Sequence, residues 1–146
     1  MDSLTAFENA EKIAPKRLRI AAAILDFTLL VVIGFVLGFF WGERIQDSEG
    51  VGFRLHGWPA LIWFLSWLIL VPIKEGVSGQ TFGKKFIKIK VVKKNLNPTN
   101  IGISLLRHFF DGIDSFFCIG LLVAALNKRK QRIGDLVAGT VVVHES

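Results

Sequence analysis

A chain of 146 residues that is 51% hydrophobic, with a mean hydropathy of +0.48, carries more apolar surface than one water-soluble domain of its size hides, and it is too short for a second domain. Its net charge of +6 comes from 18 Lys and Arg against 12 Asp and Glu. The cations flank apolar runs instead of forming a stripe interleaved with aromatics, which argues against nucleic acid as a partner, and the single cysteine, Cys118, excludes a disulfide framework and a cysteine metal cluster.

Residues 20 to 41, IAAAILDFTLLVVIGFVLGFFW, form the first apolar run. About 20 such residues suffice for a helix across a hydrocarbon layer of roughly 30 Å. The run is too long for a secretory h-region, holds an acid and is not followed by a small-residue cleavage site, so it reads as a retained span. A central acid such as Asp26 costs about 2.5 to 3.5 kcal/mol on insertion scales, while each Leu, Ile, Phe or Val returns about 0.3 to 0.6 kcal/mol. Fourteen of these between Ile20 and Phe40 carry the acid in. Insertion does not require Asp26, which makes it a candidate functional residue in need of a partner. Arg19, seven positions earlier, shares its face, but about 10 Å of axis and the N-terminal lean of helical side chains separate the two. Partners are expected farther along the chain: Arg107 or His108 for Asp26, and Asp111, Asp114 or Asp135 for Arg19. Such residues make either a proton or cation site or a set of ion pairs that lock helices together. Gly34, Gly38 and Gly42, at spacing four on another face, are expected to admit a neighbouring helix, from this chain or a second copy.

The connector GERIQDSEGVGFRLHG is bracketed by Trp41 and Trp58, residues suited to a membrane interface. The second apolar run, 58 to 73, is read as the second span, with Trp63 and Trp67 packing or facing lipid. Lys12, Lys16, Arg17 and Arg19 precede the first span, and seven lysines (74, 84, 85, 88, 90, 93 and 94) follow the second. Positive charges stay inside, so the N-terminus is expected on the cytoplasmic side. The third apolar region, 101 to 126, is interrupted by Arg107, His108, Asp111 and Asp114, and the basic tail KRKQR follows at 128 to 132. A single crossing would put that tail outside. The alternating FIKIKVV (86 to 92) and the β-branched TVVV (140 to 143) read as two strands, which pair with each other only on one side, in water. Region three is therefore expected to enter and return, bending near Gly112 to Gly120, or to lie along the interface at first. A full third span with an external tail is the competing topology.

GVSGQTFGKKFIKIKVV superficially suggests a phosphate loop, but Gly79 and Gly83 enclose three residues instead of four, and Lys84 is followed by Lys85. No catalytic constellation or paired metal ligands appear, and no enzyme, metal or cofactor is expected. The fold class is thus a mainly α-helical membrane domain over 1 to 146, a helical hairpin plus a third apolar region, with residues 127 to 146 as a basic tail ending in a short strand and a small cytoplasmic β element.

RLRIAAAILD, GQTFGKKFIKIKVV and NKRKQRIGDLVAGTVVV together resemble the RDD family of small bacterial membrane proteins, named for one arginine and two aspartates. By local motif Arg19 corresponds to the arginine, Asp26 to the first aspartate and Asp135 to the second, with Asp114 a rival. Many members have His before the last Asp; here Gly134 stands there. The resemblance implies a multi-pass protein of the bacterial inner membrane and transport, including exchange of Na⁺, Li⁺ or K⁺ for protons. A carboxylate shielded from water can alternate between a proton and a cation. Two or three spans offer few helices to line a path, which implies a homo-oligomer. The alternative is a non-transporting scaffold or accessory subunit whose basic cytoplasmic face meets anionic membrane lipid or a partner.

Overall fold

The computed structural model describes residues 13–47, 50–117 and 133–145, with the backbone alone for 47, 50–51 and 111–117. Helix α1 spans Lys16–Trp41, longer at its start than the apolar run because Pro15 presets the entry and Lys16 to Arg19 are good helix formers. Its outer surface is apolar and open, with Ile24, Phe27, Val31 and Phe35 all exposed. In a water-soluble protein such a face would be buried; left open on a helix of this length, it suits contact with lipid. Helix α2, Gly57–Ser78, runs back along α1 and is the second segment long and apolar enough to cross a membrane. Pro72 lies inside it. Proline has no N–H and clashes with the preceding turn, and the helix absorbs this by widening into a π-turn over Ile69–Ile73.

The connector between the two apolar runs has structure of its own. Glu43–Asp47 (β1) and Gly50–Arg54 (β2) pair antiparallel as a hairpin, with Trp41 and Trp58 in ring contact at 5.2 Å beneath it. At the other end of α1 and α2 the chain turns through Gly79, whose φ of +73° suits glycine, into the short helix α3, Phe82–Phe86. This corrects the expected strand start at residue 86: Phe86 closes α3, and β3 begins at Ile89 and ends at Lys93. Helix α4 is Ile101–Phe117, α5 is Ile133–Val137 and β4 is Thr140–His144.

Strands β3 and β4 pair antiparallel, Val91 opposite Val142. The lead-in to α1 joins them: the Ala14 N–H donates to the Val142 carbonyl at 2.9 Å, and Ile13 bridges Val143. Three separate stretches of chain thus meet at the end of the hairpin where α1 starts and α2 stops. Ala14, Ala22, Ile89, Val91 and Val142 form the buried cluster there. Residues 118 to 126 of the third apolar region, Cys118 and the basic run 128 to 132 lie outside the described residues. Helix α4 is continuous to Phe117, so a bend at Gly112 is not observed.

Candidate functional site

Helix α4 has its polar side turned inward. Ser104 and Arg107 are buried while Ile101, Leu105, Leu106 and Phe109 are exposed, which inverts the pattern of a water-soluble helix. The buried side brings Arg107 to Glu75, near the end of α2. Glu75 is fully buried and accepts from Arg107 through Nε, at 2.9 Å, and through Nη2. It also accepts from the Ser104 hydroxyl at 3.1 Å and pairs with Lys84, and His108 Nε2 lies 3.3 Å from it.

Arg107 also reaches the other way. Its Nη1 donates to Asp135 Oδ1 at 3.0 Å, and Arg19 of α1 pairs with Asp135 Oδ2. Asp135 sits in α5 at 1% side-chain exposure, where Gly134 lets the short helix approach α4; a Cβ on Gly134 would stand 2.7 Å from the Arg107 carbonyl. Burial alone would push the Asp135 carboxyl up. Arg107 and Arg19 outweigh burial and hold it at about 2. Arg19, Asp135, Arg107, Glu75 and Lys84 form one continuous chain of ion pairs joining α1, α5, α4, α2 and α3.

Asp26 stands apart from that chain. Its carboxylate accepts from the Thr81 hydroxyl and from the Gly83 N–H at 2.7 Å. Thr81 is the N-cap of α3, accepting from Lys84 N at 3.3 Å, so Asp26 and Thr81 together satisfy the open donors of α3's first turn. This close seating needs Gly83, where a Cβ would lie 2.0 Å from the Ala22 carbonyl. The expectation that Arg107 or His108 would bond Asp26 is therefore corrected: Arg107 bonds Glu75 and Asp135, His108 lies against Glu75, and the hydrogen bonds to Asp26 come from Thr81 and Gly83. The expectation for Arg19 fares differently, since of the three acids weighed Asp135 is its partner. The side chains of Asp111 and Asp114 lie outside the described residues.

Both groups of residues meet at one cavity of about 230 Å³, lined among others by Arg19, Asp26, Thr81, Lys84, Arg107 and His108 on the polar side and by Phe27, Leu30, Trp67 and Val71 on the apolar side. With Glu75 and Asp135 behind it, the cluster sets three cations (Arg19, Lys84, Arg107) against three carboxylates (Asp26, Glu75, Asp135). Among the described residues, no group of three His, Cys, Asp or Glu is arranged to hold a metal ion.

Glu75 is the residue that sequence reasoning missed. It ends the apolar stretch ILVPIKEG, and the reasoning that singled out Asp26, an acid where insertion gains nothing from one, applies to it equally. The glycine row divides. Gly34 admits Trp63 of α2, whose indole N–H donates to the Leu30 carbonyl at 3.0 Å. Gly38 instead admits Phe53 of β2, and Gly42 lies beyond the helix as its C-cap, so the three do not form one helix-packing stripe.

Two long apolar helices, closed at one end over a buried charge cluster, define a small helical membrane protein. The chain belongs to the RDD family, whose model matches residues 13–139, a stretch that includes Arg19, Asp26 and Asp135. No curated protein and no solved structure matches the chain.

Proposed function

We propose that this RDD protein exchanges a monovalent cation, Na⁺, Li⁺ or K⁺, for a proton across the bacterial inner membrane, with Asp26 as the carboxylate that alternates between them. One observation carries the reading. Of the three acids in the cluster, Glu75 and Asp135 are hydrogen-bonded by guanidinium or ammonium partners, whereas Asp26 faces the cavity and takes its hydrogen bonds from a hydroxyl and an amide, with the Lys74 ammonium acting on it through space. A carboxylate bonded to a fixed cation is committed to that partner; one whose hydrogen bonds come from a hydroxyl and an amide keeps room for a mobile ion. Arg19 and Arg107 supply the fixed positive framework. The hairpin is multi-pass, with the N-terminus, β3 and β4 on the cytoplasmic side as the flanking lysines favour, and a homo-oligomer completes the path that two long helices cannot enclose. The protein is a carrier, with no enzymatic step.

The test is reconstitution in liposomes containing a pH-sensitive dye. A pulse of Na⁺, Li⁺ or K⁺ moves protons with the wild type and fails with Asp26→Asn, while that variant keeps the wild-type elution profile and helical content. Normal exchange by Asp26→Asn removes Asp26 from the mechanism. A wild type inert to all three cations favours the scaffold or accessory role instead.

A further inference from the structure

Phe82 and Phe86 are four residues apart on α3 and both stand open, Phe86 at 82% exposure, with Val77 beside them in sequence at the end of α2. The charge near them in sequence has one sign, and in space an acid, Glu145, approaches as well, its N–H donating to the Lys88 carbonyl at 2.9 Å. From residue 74 to residue 100 there are seven lysines and a single acid, Glu75, which is fully buried beneath. Lys85 and Lys88 are exposed and share one tight turn with Phe86, closed by the Lys88 N–H donating to the Lys85 carbonyl at 3.2 Å. On the α2 side the Lys74 ammonium lies 3.1 Å from the centre of the Phe82 ring.

Depth decides what this patch meets. Gly83 rests on Ala22, two residues inside the apolar run that begins at Ile20, or about 3 Å along the axis. With the apolar run as the hydrocarbon level, α3 lies at its edge, the level at which aromatic and basic side chains together bind an interface. We infer that Phe82, Phe86, Lys85 and Lys88 form a binding site for an anionic phospholipid of the bilayer, with the headgroup phosphate on the two lysines and the acyl chains against the two rings. Each lysine near an anionic surface contributes on the order of 1 kcal/mol. Losing two then weakens binding roughly thirtyfold by the tenfold-per-1.4 kcal/mol conversion.

Native mass spectrometry of the full chain, released from vesicles of phosphatidylcholine and phosphatidylglycerol in equal amounts, reads the bound lipid directly. The wild type retains phosphatidylglycerol over phosphatidylcholine. Lys85→Gln/Lys88→Gln loses that preference, whereas Lys93→Gln/Lys94→Gln, which removes the same charge from β3 and the turn after it, keeps it. Equal retention of the two lipids by the wild type overturns the site, and so does an equal loss from both double variants, which would assign the preference to overall charge. The readout is independent of ion exchange, so this inference and the proposed function fail separately.

Discussion

Asp26 and Asp135 are both acids reached from α1, but the chemistry of their partners sets their behaviour apart. Asp135 lies between two guanidinium groups at 1% exposure. Replacing it by Asn keeps the shape and leaves Arg19 and Arg107 short of a counter-charge, which for a buried pair costs about 3 to 5 kcal/mol. Thermal unfolding in detergent should show the lowered midpoint. Acidity acts on the same residue. Because the folded-state value of about 2 is below the ordinary 3.8, the ionised form stabilises the fold above pH 3.8, and that contribution of about 2 kcal/mol fades as the pH falls toward 2. The unfolding midpoint of the wild type should therefore drop across that window more steeply than that of Asp135→Asn; parallel profiles would show that the carboxylate is not held as described.

Helices α1 and α2 meet through an indole seated on a glycine. A Cβ at Gly34 would lie 2.9 Å from Trp63 Nε1, so Gly34→Ala disturbs both the ring and its 3.0 Å bond to the Leu30 carbonyl, at a cost of about 1 to 3 kcal/mol. With Trp63→Leu already in place, the same change should cost almost nothing. A double-mutant cycle by denaturant unfolding should thus give a coupling of about 1 to 3 kcal/mol, and additive costs would mean that Gly34 serves some other contact. The long apolar helices were legible in the sequence because length and composition define them, and β3 and β4 because alternation and β-branching do. The partners of Asp26 were not. Thr81 and Gly83 carry no charge, and a search for counter-ions passes over a hydroxyl and a backbone amide that only a folded turn brings together. The β1–β2 hairpin was hidden for a different reason: its strands are five residues each, ERIQD without an apolar alternation and GVGFR with two glycines, so neither carries a strand signal.

Across the whole molecule, β4 closes the end of the helical pair by bonding β3 along its length and Ala14 at Val142. If the hairpin crosses the membrane, the tail shares a side with the start of α1. A cysteine at the exposed position His144, in a Cys118→Ala background, should resist an impermeant maleimide added outside intact cells and react after permeabilisation; rapid labelling of intact cells would place β4 on the opposite face. The order in which the chain is made gives this seam a further meaning. Both long apolar helices leave the ribosome well before Thr140, so the β3 edge and the lead-in to α1 are made while the strand that pairs with them is still missing. Strand β4 then acts as a latch thrown after the parts it fastens, and a nascent chain cut short before it would leave the edge of β3 available to any passing strand.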